Sequence, residues 1–193
     1  SENNILWDEE GFGPGLFNEF FVLLNKALIK PNIYEFLEKI NKSSTWYGKI
    51  DRIFVPSNEY VDIIERVEKK KVVFLVGDPE IGKTFTAVRI LWEYYCKGYT
   101  PVWYPGSEIY QRMKIRQIMS DTEIPNHSVV YFEDPFGKIR FEDREELRRT
   151  IGDLFKKVQA IDARVIITSR EEPFKEFEKE KLSQTNLRAV SLE

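Results

Sequence analysis

Val72-Val73-Phe74-Leu75-Val76-Gly77-Asp78-Pro79-Glu80-Ile81-Gly82-Lys83-Thr84 decides how the chain folds, because an apolar run passes directly into the spacing G-x-x-x-x-G-K-[ST]. Val72 to Val76 predicts a buried strand. The residues after Thr84 predict a helix, with Ala87, Ile90, Leu91 and Tyr94 on one face and Gly98 as its stop. A glycine-containing turn between a strand and a helix is the setting that a phosphate-binding loop requires. Gly77 and Gly82 permit turns that a Cβ would hinder, so that successive N–H groups can converge on phosphate oxygens at a helix N-terminus, where the dipole favours negative charge. Gly77, Asp78, Pro79, Glu80, Ile81, Gly82, Lys83, Thr84 and Phe85 are the nucleotide-binding residues expected from this stretch. Lys83 is a mobile charge able to reach the β- and γ-phosphates, and the Thr84 hydroxyl is an expected Mg²⁺ ligand.

Composition bounds the alternatives. A chain of 193 residues with 42% apolar content has material for one substantial core, or for one domain and a small appendage. Its 29 basic and 32 acidic residues leave a net charge of −3, so no overall field draws it to nucleic acid or to an anionic membrane. Cys96 stands alone and forms no internal disulfide, and the start shows no signal-peptide pattern; the expected location is cytoplasmic. No apolar run reaches the roughly 20 residues needed to span a bilayer.

Two helices are expected upstream of this stretch. Phe17, Phe20, Phe21, Leu24 and Leu28 mark one over 16–29, and Pro31 opens another to about Asn41, with Ile33, Phe36, Leu37 and Ile40 inward. The organisation expected is an N-terminal helical segment at 1–50 and an α/β nucleotide-binding domain at 51–193, truncated on its C-terminal side. Within the domain, Ser57 or Asn58 is placed to cap a helix closed by Lys69-Lys70-Lys71, a lysine run that reads as a solvated helix end. Strands are expected at 100–104, 129–132, 165–167 and 188–192, and further helices at 107–119, 140–160 and 172–182. Trp46, Tyr47 and Val55 precede the loop unit and read as core packing, with adenine contact as the alternative. The single histidine, His127, cannot build a zinc site with one distant cysteine and reads as a surface or capping residue.

Two strand ends carry further chemistry. Val129-Val130-Tyr131-Phe132 runs into Glu133-Asp134, so a buried strand delivers two carboxylates at its carboxyl end, where open α/β sheets bind ligands. Glu133 is placed to hold Mg²⁺, directly or through water, and Asp134 to orient an attacking water or accept its proton. Val165-Ile166-Ile167 ends in Thr168-Ser169-Arg170, and the Arg170 fork suits a γ-phosphate. Lys83, Glu133, Asp134 and Arg170 are the candidate catalytic residues, Thr84 and Glu133 the candidate metal ligands.

Gly77 to Thr84, the acids within Tyr131-Phe132-Glu133-Asp134-Pro135-Phe136-Gly137, and Ile166-Ile167-Thr168-Ser169-Arg170 together resemble the STAND-type NTPases, the group that contains the NACHT and NB-ARC switches. Phe54-Val55-Pro56 resembles the lead-in of a prokaryotic branch of that group. The resemblance implies a parallel five-stranded sheet with the Arg170 strand between the loop strand and the acid-bearing strand. It also implies ATP/ADP exchange as a switch, slow hydrolysis, Mg²⁺ and nucleotide-dependent homo-oligomers. Glu133 stands where the family usually has Asp, which lengthens the metal arm. Other readings are a small-molecule or nucleotide kinase, or a scaffold that retains ADP without hydrolysis.

Overall fold

The structure is a computed structural model, and it describes residues 31–41, 47–106, 124–135, 144–171, 174 and 190–191, without the side chains of 144–148, 150, 190 and 191. The expected helices at 16–29, 107–119 and 172–182, Trp46, and Phe136-Gly137 lie outside these residues or nearly so. The chain divides into two compact units, 1–32 and 33–193. All elements below belong to the second.

In chain order these are α1 (Ile33–Lys39), a 3₁₀ turn (Tyr47–Lys49), α2 (Ile50–Ile53), α3 (Tyr60–Lys70), β1 (Val72–Val76), α4 (Lys83–Cys96), β2 (Thr100–Tyr104), β3 (Ser128–Phe132), α5 (Arg144–Ala160), β4 (Ala163–Ser169) and β5 (Val190–Ser191). The sheet order is β2-β3-β4-β1-β5 and every pairing is parallel. β4 therefore lies between the loop strand β1 and the acid strand β3, as the resemblance implied.

Alternation along the central strands separates two apolar layers. Val73, Leu75, Val129, Tyr131 and Ile166 face the layer of α1, α2, α3 and α4, where they meet Phe36, Ile50, Ile63, Val67, Ala87 and Leu91. Val72, Phe74, Val76, Val130, Phe132, Val165 and Ile167 face α5, where Ile151, Leu154 and Val158 fill the other layer. Parallel strands covered on both faces read as continuous apolar runs, which is why β1 and β3 are fully buried along their lengths. Each buried Val, Leu or Phe contributes roughly 1.5–3 kcal/mol. From Ile33 onward, the expected helical segment packs into this same core through Phe36, Leu37, Ile40 and Ile50.

Three local expectations need correction. β4 runs from Ala163 to Ser169, longer than the apolar triplet, because buried Thr168 and Ser169 pair with Leu75 and Val76 and satisfy their hydroxyls locally. Neither Ser57 nor Asn58 caps α3: the helix starts at Tyr60 after a turn in which the Tyr60 N–H donates to the Ser57 carbonyl, and the N-cap residue is Glu59 with no side-chain cap bond. The lysine run is not wholly solvated. Lys71, in a left-handed conformation with φ 62°, ends α3, and its ammonium donates to the carbonyls of Val158, Gln159 and Ile161 (2.7–3.4 Å) at the C-terminus of α5. A cation at that end complements the helix dipole.

Gly98 does stop α4, and the geometry is a Schellman motif. The Gly98 N–H donates to the Tyr95 carbonyl and the Tyr99 N–H to that of Tyr94, while the Tyr94 and Tyr99 rings meet edge to face at 5.1 Å. At the starts of β2, β3 and β4, the exposed His127 ring stacks on Tyr99 at 4.0 Å and its Nδ1 lies 2.8 Å from Asp162 Oδ2. Tyr99 donates to the same carboxylate, and Arg164, nearly buried, pairs with it at 3.0 Å. His127 is therefore a surface residue that ties three strand starts together.

The hydrogen bond from His127, followed by those from Tyr99 and Arg164, holds the Asp162 carboxyl below the usual carboxylate range. A folded-state value below the unfolded one gives stability that is present above the unfolded value and lost as pH falls through the folded value. Asp162→Asn is expected to cost about 1 kcal/mol at neutral pH after solvent screening. The gap to wild type should narrow and close as pH falls below the ordinary aspartate range, as read by urea midpoints across pH.

Candidate functional site

Parallel pairing brings the carboxyl ends of β1, β3 and β4 to one edge of the sheet, with Val76 opposite Ser169 and Phe132 opposite Ile167. The sequence-predicted groups meet there. Gly77 to Gly82 connect β1 to α4; Gly77 is buried, whereas Asp78, Pro79, Glu80, Ile81 and Gly82 are exposed. Glu80 (φ 68°) and Gly82 (φ 90°) both adopt left-handed backbone conformations. Turns of this kind aim successive backbone N–H groups into a concavity that binds anions. Gly82 is also the N-cap of α4, which places the positive end of the helix dipole against the loop.

Lys83 lies across this loop, its ammonium donating to the carbonyls of Gly77 (2.9 Å) and Asp78. Burial pushes its pKa below the ordinary lysine value; Arg170 acts the same way, while Asp134 and Asp78 oppose it. Thr84 lies in the first turn of α4 and donates to Glu133 Oε1 at 3.3 Å. Phe85 turns away from the loop and packs against Tyr47 at 5.4 Å.

Glu133 and Asp134 follow β3 and take different surroundings. The Glu133 backbone N–H donates to the Tyr104 carbonyl, and its Oε2 accepts the Gly106 N–H at 3.1 Å. The longer arm of glutamate is thus fixed at both oxygens, by Thr84 and by the end of β2. Asp134 has φ 42° immediately before Pro135, an uncommon conformation of the sort that costs about 1–3 kcal/mol and collects at functional sites. Its N–H donates to Thr168 Oγ1 at 3.1 Å, and its carboxylate faces Arg170 Nε at 3.6 Å. Arg170 is exposed just past the end of β4.

Thr84 and Glu133 offer two oxygen donors side by side. That set fits Mg²⁺, which prefers oxygen ligands, keeps several waters and is completed by substrate phosphates. Tyr47, read from sequence as core, packs on Phe85 and on Trp103 (5.5 Å). Burial, followed by the Glu133 carboxylate, pushes its phenol up. Val55 is exposed and packs in no core cluster. Two groups of the site went unread in the sequence: Gly106 and Tyr131 reach it by tertiary register. Thr168 was legible as part of the polar triplet at a strand end, but its bond to the Asp134 N–H was not.

Gly106 and Gly152 make a paired test of this geometry. A Cβ on Gly106 would sit 3.0 Å from the Glu133 carbonyl oxygen, whereas one on Gly152, inside α5, meets nothing within 4 Å. Gly106→Ala is expected to destabilise by about 1–3 kcal/mol through overpacking. Gly152→Ala is expected to stabilise by roughly 0.5–1 kcal/mol through helix propensity, both measured by urea unfolding.

No curated protein matches the chain. Among solved structures, the chain is similar to AMPPCP-bound DnaA from Aquifex aeolicus, with 14% identity and a TM-score of 0.48 over 75% of this chain and 49% of that one. A replication initiator DnaA bound to AMPPCP and single-stranded DNA, and a DNA replication initiation factor, are similar at 14% identity, a TM-score of 0.46 and the same coverage of 75% and 49%. The chain spans about half the length of these structures. Among the described residues no helix is long and apolar enough to cross a membrane. The family model described as Novel STAND NTPase 3 matches residues 54–193, from the lead-in Phe54 through the loop, the acid pair and Arg170. The chain belongs to this STAND NTPase family.

Proposed function

We propose that this chain is an ATP-dependent signalling switch that hydrolyses slowly and changes its assembly state with the bound nucleotide. The observation that supports this most strongly is the meeting of Lys83, Thr84, Glu133, Asp134 and Arg170, from three parallel strand ends, around one left-handed loop. On this reading the loop amides of Gly77 to Phe85 cradle the phosphates. Thr84 and Glu133 hold Mg²⁺, which when bound neutralises charge on the phosphate oxygens.

The chain's own charges then exchange partners. Lys83 gives up the Gly77 and Asp78 carbonyls for phosphate oxygens, a change its flexible stem permits. Arg170 gives up Asp134 for the γ-phosphate, since a fork binds phosphate oxygens in pairs. Asp134, relieved of its cation, orients the attacking water. ADP lacks the group that draws Arg170 away, so the Asp134–Arg170 pair separates the two states. The nucleotide is the partner that this reading requires, together with further copies of the chain.

Lys83→Ala is expected to weaken ATP and ADP alike, by roughly 10- to 150-fold for each charge-assisted bond lost. Arg170→Ala should weaken ATP while sparing ADP. Isothermal titration of both variants decides the matter: unchanged affinity in the Lys83 variant removes the cradle, and equal losses in the Arg170 variant make that residue structural. For assembly, mass photometry is expected to show larger species with a non-hydrolysable ATP analogue than with ADP; identical distributions would count against a switch.

A further inference from the structure

We propose that the Tyr131 hydroxyl is a positioning group for the phosphate site, joining Thr84 on the loop to Thr168 at the end of β4 in one hydrogen-bonded line. The proposal rests on the nucleotide-switch reading and adds to it a residue that touches neither nucleotide nor metal.

Tyr131 is wholly buried in β3, on the face covered by α4, with its ring held against Trp103 at 5.3 Å. A buried phenol requires partners, and among the described residues these are the hydroxyls of Thr168 (3.2 Å) and Thr84 (3.5 Å). Each of these is bonded onward, Thr84 to Glu133 and Thr168 to the Asp134 N–H. Five consecutive groups therefore run Glu133, Thr84, Tyr131, Thr168, Asp134 beneath the loop.

Proton accounting gives the line a direction. Thr84 spends its proton on the Glu133 carboxylate, so its oxygen receives the Tyr131 proton. The Tyr131 oxygen in turn receives that of Thr168, whose oxygen accepts the Asp134 N–H. All the protons point toward Glu133, and bonds in such a chain polarise one another. A phenol carries its proton at neutral pH and so is able to donate. With one lone pair engaged by Tyr131, Thr84 Oγ1 keeps the other for a cation and is held in a single orientation. A β4 movement that displaced Thr168 would be felt at Thr84 through one oxygen.

Tyr131→Phe removes the hydroxyl and keeps the ring. In isothermal titration, the wild-type chain is expected to bind ATP more tightly with Mg²⁺ than with EDTA. The Phe variant, folded by circular dichroism, is expected to lose about 3- to 10-fold of that metal-dependent increment while its affinity in EDTA stays unchanged. Thr168→Val cuts the line at its other joint and should reduce the same increment, with the double variant losing no more than the larger single loss. A full increment in Tyr131→Phe, an equal loss with and without Mg²⁺, or additive losses in the double variant would each overturn the positioning role while leaving the nucleotide reading intact. A wild-type chain that binds no nucleotide would overturn both.

Discussion

Parallel pairing of β1 with β4, and of β4 with β3, is the constraint on which the site depends. Antiparallel neighbours would send alternate strand ends to opposite edges. With all strands running one way, the loop after Val76, the acids after Phe132 and the arginine after Ser169 meet at one edge, however far apart they lie in sequence. The apolar alternation that sorts Val73 and Leu75 from Val72, Phe74 and Val76 fixes the register, because a slip of one residue would exchange the two buried faces. Chemistry at the rim is therefore secured by packing in the middle.

Local signals explain what could be read without coordinates. The run Val72 to Val76, the glycine spacing that follows, and the stop at Gly98 each arise within a dozen residues, and each has the expected form. Strand order came from resemblance rather than from any such signal. Glu133 and Asp134 were legible as a pair, but not their division of labour, which depends on Gly106, beyond β2, reaching one carboxylate and Arg170, just past β4, facing the other.

The unread parts share a physical reason. Tyr131 looked like one more apolar strand residue, because its hydroxyl has a role only when Thr84 and Thr168 stand beside it. Gly106 carried no sequence signal of its own, although its lack of a Cβ is what admits the Glu133 backbone. Thr168 and Ser169 looked too polar to extend a strand, yet both are buried with their hydroxyls bonded. Ser57 had the chemistry of a cap but lies two residues before the N-cap, Glu59.

Lys71 and the His127–Asp162 pair fasten the sheet at the edge remote from the loop: one ammonium closes the carbonyl end of α5, and one carboxylate gathers groups from three strand starts. Strands held in common at their starts act as levers, so any change in their relative tilt is largest at the opposite rim, where Asp134 and Arg170 face one another.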